Sequence, residues 1–271
     1  MTKGTPVNVL IKGAGGRMGS QLISLVIKDK HFRLAGAVEV PGHPFVGKDA
    51  GETVGLEKSG IQVSATLPSE LETKTICIDF TVPESTLASL PWAEKNKIPL
   101  VIGTTGLTKA QLKMLNQASE NIPVVYSPNM SIGINMMFKV LHDVALKLGW
   151  DYDMEIVELH HHLKKDAPSG TAIRMAEILA KAIDEKIENV AVYHREGIIG
   201  ERRKKEIGIQ SVRAGDIVGE HTVYFAGIGE RLEITHKATS RDNFAKGALM
   251  AAAWVADRDP GLYDMEAVLG L

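Results

Sequence analysis

The 271-residue chain is 44% hydrophobic, which is enough to bury a core in one large domain or two modest ones, and we expect two. Charged residues make up 24% of the chain and nearly cancel to a formal net charge of -2, so no overall field would attract nucleic acid or an anionic membrane. Any anion-binding site must therefore be local.

Cysteine content and the opening segment bear on the cellular compartment. Cys77 is the only cysteine, which excludes an intramolecular disulfide framework and fits a reducing environment. The apolar run near the start is only a few residues long before glycines interrupt it, unlike a signal peptide. No segment approaches the ~18 consecutive apolar residues of a transmembrane helix. We therefore expect a soluble, cytoplasmic protein with neither nucleic-acid nor membrane partners.

The first half of the chain alternates short apolar runs with helical stretches. The runs predict strands at residues 7–11, 32–39, 75–80, 99–103 and 123–127, and one of the intervening helices at 108–119. Near-continuous apolar strands that alternate with helices are typical of a parallel sheet covered on both faces. The predicted fold class for this part is α/β, with a Rossmann-like, doubly wound sheet.

The pattern changes after residue 127. Apolar residues at helical spacing between Met137 and Leu148 predict a helix, and a new unit follows, with a strand at 152–160 and a helix from about 169 to 184. Three more strands at 207–213, 221–226 and 231–238 have few helices between them, which predicts a second, α+β domain with a mixed or antiparallel sheet. The charged, glycine-interrupted segment 195–206 is predicted to be a mobile loop. A last helix beginning near Phe244 should return to the first domain.

A glycine-rich turn, "GAGGRMG" at 13–19, follows the first predicted strand and opens the first helix. Glycines let the backbone approach a pyrophosphate, and the helix N-terminus directs N–H groups and partial positive charge at it. Glu39 lies 20 residues beyond Gly19, where a carboxylate can accept hydrogen bonds from an adenosine ribose. An ordinary tight turn with a solvated glutamate is the alternative, but the combined pattern favours dinucleotide binding. "GTTG" (103–106) and "SPNMS" (127–131) follow two further strands and fit the same site.

The stretch "ELHHHLKKDAPSGTA" at 158–172 carries the second set of polar residues. A strand is predicted to end at His160, and Ser169 can cap the helix that follows, where Gly170 and Thr171 would present N–H groups and a hydroxyl to an anion. Lys164 adds a mobile positive charge. His160 or His161 could deliver a proton, because imidazole titrates near neutral pH.

Other interpretations of this stretch remain open. A solvated polar loop is the commonest fate of such residues, and His162 in particular could simply be exposed. A metal site is disfavoured because the histidines are adjacent, Cys77 is remote and no HExxH spacing occurs, so we predict no metal. The combination of an acid, a cation and a helix start within a dozen residues favours a functional loop.

These motifs together resemble the 4-hydroxy-tetrahydrodipicolinate reductase (dihydrodipicolinate reductase) family of lysine and diaminopimelate biosynthesis. The resemblance runs nearly end to end and rests on the four stretches quoted above and on the segment 211–241, "SVRAGDIVGEHTVYFAGIGERLEITHKATSR". The most specific of them is the histidine stretch.

The resemblance implies a role for each matching residue. His160 would be the proton donor and Lys164 a second catalytic donor, while His161, Gly170 and Thr171 would bind the carboxylates of the substrate. The implied contacts to NADH or NADPH are Gly13, Ala14, Gly15, Gly16, Arg17, Met18, Glu39, Gly103, Thr104, Thr105, Ser127, Pro128, Asn129 and Met130.

The family also implies an organisation and an activity. Residues 1–130 and 241–271 would bind the dinucleotide, and residues 131–240 would bind the substrate and join a homotetramer through their sheet. The expected reaction is reduction of 4-hydroxy-tetrahydrodipicolinate to tetrahydrodipicolinate with loss of water. Reduction of another small imine or oxo acid, or a non-enzymatic dinucleotide-sensing oligomer, are the alternatives.

One departure from the family pattern concerns the cofactor. Many members carry a basic residue directly after the ribose-binding acid, where it can pair with a 2'-phosphate, whereas this chain has Val40. Glu39 would repel that phosphate, and only Arg17 remains nearby to offset the repulsion. We therefore expect NADH to be used at least as well as NADPH.

Overall fold

The computed structural model describes residues 5–71 and 74–271. Two compact units divide the chain: the first includes residues up to Ile132 and from Arg241 onward, and the second runs from Gly133 to Ser240. The boundaries predicted from the sequence lie after residues 130 and 240. Within the described ranges, no helix is long and apolar enough to cross a membrane.

The first unit is built on a seven-stranded sheet in which every pair of neighbouring strands is parallel. The strands are β1 (Val7–Lys12), β2 (Phe32–Val38), β3 (Val63–Ser64), β4 (Thr75–Asp79), β5 (Leu100–Ile102), β6 (Pro123–Tyr126) and β12 (Gly261–Tyr263). Their order in the sheet is β12-β6-β5-β4-β1-β2-β3, which contains the 3-2-1-4-5-6 order of doubly wound dinucleotide-binding folds.

Helices cover both faces of this sheet, and the side chains of β1 show why. Val9 and Ile11 point to a buried cluster shared with helices α1 and α8, whereas Leu10 points to a second cluster shared with α3 and α4. A strand buried on both faces must be apolar at successive positions, which is the pattern that predicted the parallel sheet. The helices of this unit are α1 (Arg17–Lys28), α2 (Ala50–Thr53), α3 (Pro83–Asn96), α4 (Lys109–Ser119), α8 (Asp242–Val255) and α9 (Met265–Leu269).

The second unit contains a five-stranded sheet of order β11-β10-β7-β9-β8. Strand β7 runs parallel to β9 and antiparallel to β10, so the sheet is mixed, as predicted. One face packs its apolar side chains, including Met154, Ile156 and Phe225, against the helices. The elements are α5 (Ile132–Leu148), a 3-10 turn (Gly149–Asp151), β7 (Asp153–His160), α6 (Gly170–Ala182), α7 (Ile187–Val190), β8 (Ala191–Val192), β9 (Ile207–Arg213), β10 (Gly219–Ala226) and β11 (Arg231–Ala238).

The charged segment 195–206 has no helix or strand, in agreement with the predicted loop. Its arginines are nevertheless anchored, which the sequence analysis did not anticipate. Arg195 donates two hydrogen bonds to Glu155, at 2.9 and 2.7 Å, and a third to Glu206 at 2.7 Å. Arg202 also binds Glu155, at 3.1 Å, and Asp153 at 2.7 Å. The charges of this loop therefore tie its two ends to strand β7, and its mobility stays a prediction.

Helix α8 packs so closely on the chain after β6 that one of its positions accepts no side chain. A Cβ at Gly247 would lie 1.7 Å from the carbonyl oxygen of Met130. Replacing Gly247 by Ala should therefore destabilise the protein by about 1–3 kcal/mol, because the backbone clash outweighs the ~1 kcal/mol by which Ala surpasses Gly in a helix.

Urea unfolding of the Gly247→Ala variant measures this cost. The exposed neighbour Lys246 provides the control, since Lys246→Ala should change the free energy of unfolding by no more than about 0.5 kcal/mol. A Gly247→Ala variant as stable as the wild type would contradict the close packing.

Candidate functional site

The loops predicted to bind a dinucleotide lie along one edge of the first unit's sheet. They follow β1, β2, β5 and β6, and the carboxyl ends of parallel strands meet at the same edge. Ligands of open α/β sheets bind at this edge. The structure thus brings together all the residues predicted to contact the dinucleotide.

The glycine-rich turn is short and tightly hydrogen-bonded. The N–H groups of Gly13 and Ala14 donate to the carbonyl of Val38, at 2.8 and 3.0 Å, and Gly16 N–H donates to Gly13 O at 3.0 Å. A Cβ at Gly19 would lie 2.0 Å from the same Gly13 oxygen, so only glycine lets α1 pack directly against the turn. The first turn of α1 is thereby held at the carboxyl edge of the sheet.

Glu39 lies just beyond β2 with its carboxylate on the glycine turn. Oε2 accepts the N–H of Gly15 at 2.7 Å, and Oε1 accepts the N–H of Val40 at 2.8 Å. The side chain of Val40 is 59% exposed and brings no positive charge to this corner. Within the part of the chain that the structure describes, the hydrogen bonds that orient this carboxylate come from backbone N–H groups and not from a cation.

The two later loops divide into buried and exposed residues. The hydroxyl of Thr104 is hydrogen-bonded to that of Thr86 at 2.8 Å, and Thr104 is only 1% exposed. The side chain of Met130 is likewise buried and belongs to the apolar core. These two residues are therefore almost fully buried, whereas Thr105 and Pro128 are exposed.

Below the edge lies a buried ion pair that the sequence analysis missed. Lys12, the last residue of β1, donates to Asp79 at 3.1 Å, to Ser85 O at 2.5 Å and to Ser89 Oγ at 3.1 Å. The signal was available, because the lysine directly follows one apolar strand of the predicted sheet and the aspartate lies next to the end of another. A cavity of about 300 Å³ is lined by Lys12 of this pair and also by Glu39.

His43 is a second residue that the sequence analysis missed. A Cβ at Gly15 would lie 2.2 Å from Cε1 of His43, so the imidazole packs directly against the glycine turn. Its Nδ1 accepts the N–H of Phe45 at 3.2 Å, which leaves Nε2 to carry the proton of the neutral ring. The turn therefore has an aromatic ring on it in addition to the predicted carboxylate.

In the second unit, the buried carboxylate of Glu158 organises the histidine stretch. Glu158 is 0% exposed and accepts hydrogen bonds from Arg213 at 2.8 Å on each oxygen, from Ser169 N–H at 3.0 Å and from His160 Nδ1 at 2.6 Å. Burial acts to raise the pKa of Glu158, but the hydrogen bonds from His160, Arg213, Ser211 and Ser169 outweigh it and hold the pKa well below its usual range. Glu158 is therefore a carboxylate throughout the neutral range.

Two histidines absent from the predicted site lie on β10 and β11, and the first of them is beside His160. The rings of His160 and His221 meet edge to face with centroids 5.2 Å apart, and His236 is the partner of His221 on the neighbouring strand. Burial, together with repulsion from His160, lowers the pKa of His221 to about 3, and burial also lowers the pKa of His236. The signal was again available, since His221 continues the alternation of the buried residues Val223 and Phe225 along β10.

The other predicted residues of the second unit lie in the loop between β7 and α6. Lys164 donates to both carboxylate oxygens of Asp166, at 2.9 Å each, and its side chain is 21% exposed. Ser169 caps α6 by accepting the N–H of Ala172 at 3.1 Å, as predicted. Gly170 and Thr171 form the first turn of that helix.

His162 is exposed and binds the carbonyl of Gly215 at 2.8 Å, away from the Glu158 carboxylate. Among residues 5–71 and 74–271, no group of three or more His, Cys, Asp or Glu side chains is arranged to hold a metal ion.

The chemistry available in the second unit follows from these contacts. A histidine whose Nδ1 faces an ionised carboxylate can carry a proton on Nε2, and an ammonium group lies on the same loop. The start of α6 offers backbone N–H groups to an anion. The arrangement suits proton delivery to a substrate that carries negative charge.

Comparison with known proteins agrees with both halves of the molecule. Residues 7–130 match the model of the N-terminal part of dihydrodipicolinate reductase, and residues 133–269 match that of its C-terminal part.

Two curated relatives are similar over nearly their full length. The 4-hydroxy-tetrahydrodipicolinate reductase of Syntrophus aciditrophicus is 50% identical over 97% of this chain and 98% of its own. That of Geotalea daltonii is 51% identical over 98% of this chain and 99% of its own.

A solved structure shows the same fold. The dipicolinate-bound dihydrodipicolinate reductase of Paenisporosarcina sp. TG-14 superposes with a TM-score of 0.73 at 24% identity, over 96% of this chain and 97% of that one. The expected resemblance is confirmed: the chain belongs to the dihydrodipicolinate reductase family, whose curated members are named 4-hydroxy-tetrahydrodipicolinate reductases.

Proposed function

We propose that this protein reduces 4-hydroxy-tetrahydrodipicolinate to tetrahydrodipicolinate with NADH or NADPH, releasing one water, in the route to diaminopimelate and lysine. Membership of the family supports the reaction. The single structural observation that carries it is the contact between His160 Nδ1 and the buried carboxylate of Glu158, at the end of a strand that leads into a cationic loop. The hydroxyl group leaves as water together with a hydrogen of the adjacent ring carbon, and the hydride takes the place of the hydroxyl. The donated proton then restores the hydrogen of the adjacent carbon, so the products are the reduced ring, one water and oxidised nicotinamide.

The proton is supplied from the second unit in this proposal. His160 delivers it from Nε2 to the ring carbon next to the one that receives the hydride, and Lys164 acts as a second donor. His161, Gly170 and Thr171 bind the two carboxylates, with N–H groups at the start of α6 and a hydroxyl group. The ammonium group of Lys164, which now binds Asp166, could bind a carboxylate of the substrate in its place.

The cofactor is held by the first unit in this proposal. The residues present fit a dinucleotide, because the turn before α1 has no side chain at Gly13, Gly15 and Gly16 and Glu39 lies against it. The hydroxyls of an adenosine ribose would donate to Glu39 in the way that Gly15 N–H now does. The bound nicotinamide supplies the hydride.

Assembly and location complete the proposal. We infer a cytoplasmic homotetramer joined through the sheet of the second unit. One face of that sheet packs on the helices of the unit, and the opposite face carries Val157, Leu159, Val212 and Tyr224. Val212 is 41% exposed, so apolar area is available there for contact with another copy.

Removing either proposed proton donor tests the reaction. His160→Gln and Lys164→Ala should each lower kcat by about 10²-fold or more, as loss of a general acid does. The assay supplies freshly made 4-hydroxy-tetrahydrodipicolinate and follows the absorbance of NADH. His162→Gln and Lys165→Ala are matched controls from exposed positions of the same loop and should keep near wild-type rates. Wild-type turnover in both donor variants would contradict the assigned roles.

The preference for NADH or NADPH tests the roles proposed for Glu39 and Val40. The wild type should use NADH at least as well as NADPH, because no cation follows the ribose-binding carboxylate. Val40→Arg should shift the NADPH-to-NADH ratio of kcat/KM by about tenfold towards NADPH, the effect expected of one charge-assisted contact to a phosphate.

Steady-state kinetics with both cofactors measures the ratio. Met114→Arg replaces an apolar residue that is 48% exposed on α4 and provides the control, which should leave the ratio unchanged. A large NADPH advantage in the wild type would remove the inference.

A further inference from the structure

We propose that Glu158 is the positioning residue of the proton donor: it holds the imidazole of His160 as the Nδ1–H tautomer and so dedicates Nε2 to proton delivery. The inference rests on the proposed function for the identity of the reaction. The tautomer itself is a property of the second unit and can be tested without substrate.

The direction of the hydrogen bond to His160 follows from the surroundings of Glu158. An ionised carboxylate can only accept, so Nδ1 of His160 must be the donor across the 2.6 Å contact. The opposite tautomer would place two acceptors face to face in a site that is 0% exposed on the Glu158 side. In the neutral ring Nε2 is then the basic nitrogen, and it gains and loses the transferred proton.

The carboxylate is itself held in place, which a positioning role requires. Arg213 grips it with both Nη atoms, and Ser169 N–H binds Oε1 at 3.0 Å. Arg213 Nη2 also donates to Asp166 O at 2.7 Å. Glu158 therefore joins strand β7, the start of α6 and the loop that carries Lys164 around one carboxylate, and His160 cannot rotate without losing this contact.

Other charged and titratable groups surround His160 on the neighbouring strands and on the loop. Arg213 on β9 neutralises Glu158, and His221 on β10 lies next to His160. The charges of His236 on β11 and of Lys164 on the loop both oppose protonation of His221. Asp166 pairs with Lys164. Of the two adjacent imidazoles, only that of His160 touches a carboxylate.

Replacing Glu158 by Gln distinguishes the effect of the carboxylate on the His160 ring from the effect of the space that the side chain fills. The amide keeps the size of the side chain but places an NH2 group where an acceptor stood, and it can donate to Nδ1 of His160. The ring should then change to the Nε2–H tautomer, in which the basic nitrogen faces away from the substrate. Loss of the correct tautomer in a histidine dyad is known to be severe, so we expect kcat to fall by about 10²-fold or more with KM changed only a few-fold.

Nitrogen NMR of 15N-histidine-labelled full-length protein provides a readout that a merely structural role would not move. His160, assigned from its loss in His160→Gln, should show a protonated Nδ1 and an unprotonated Nε2 at alkaline pH in the wild type, and the reverse in Glu158→Gln. The matched control Glu177→Gln, on the exposed face of α6, should keep the wild-type tautomer and rate. An Nε2–H tautomer in the wild type, or the same tautomer in Glu158→Gln, would overturn the proposal.

A conservative variant covers the case in which Glu158→Gln does not fold. Glu158→Asp retains an anionic acceptor on a shorter side chain, so it should keep the Nδ1–H tautomer and recover at least tenfold in kcat over Glu158→Gln, or over Glu158→Ala where the amide variant is insoluble. An Nδ1–H tautomer in Glu158→Ala with wild-type kcat would contradict the role. If the tautomers behave as expected but the wild type does not turn over 4-hydroxy-tetrahydrodipicolinate, the proposed function fails and the assignment of Glu158 stands.

Discussion

A fully buried carboxylate is the constraint on which the second unit depends. A charge without solvent must be surrounded by donors, because burying it unpaired costs several kcal/mol. For Glu158 those donors come from three parts of the chain: Arg213 on β9, the N–H of Ser169 at the start of α6, and His160 at the end of β7. Satisfying the charge therefore also brings together the elements that bear the predicted catalytic and carboxylate-binding residues.

The first unit contains a related arrangement with a different outcome. Glu39 also follows a strand and also accepts an N–H from the turn that opens a helix, here from Gly15 at 2.7 Å. Among the described residues, no arginine is hydrogen-bonded to it, and its second oxygen accepts the N–H of Val40. A carboxylate held by backbone donors alone can exchange one of them for a ligand hydroxyl at little cost, whereas Glu158 has no such freedom. The same residue type is thus a proposed ligand contact in one unit and a structural anchor in the other.

Much of the fold could be predicted from the sequence because its signals are local. The apolar strands, the glycine turn and the Ser169 cap each depend on neighbours a few residues away, and they were confirmed. Short elements such as α2, β3, α7 and β12 were missed, since two to four residues do not establish a period. The sequence motifs also identified the family correctly, whereas the role of each site residue stays a prediction.

What could not be predicted depends on strand register. Glu158 and Arg213 are 55 residues apart in the chain and meet because Glu158 pairs with Ser211 in the parallel register of β7 and β9. His221 faces Glu158 across the antiparallel pair of β7 and β10 for the same kind of reason. A shift of one residue in either pairing would turn these side chains to the other face of the sheet. The apolar residues of β7, β9 and β10 that bury the core face therefore also fix the position of the charged group. The packing of the sheet thus determines where the proposed proton donor lies.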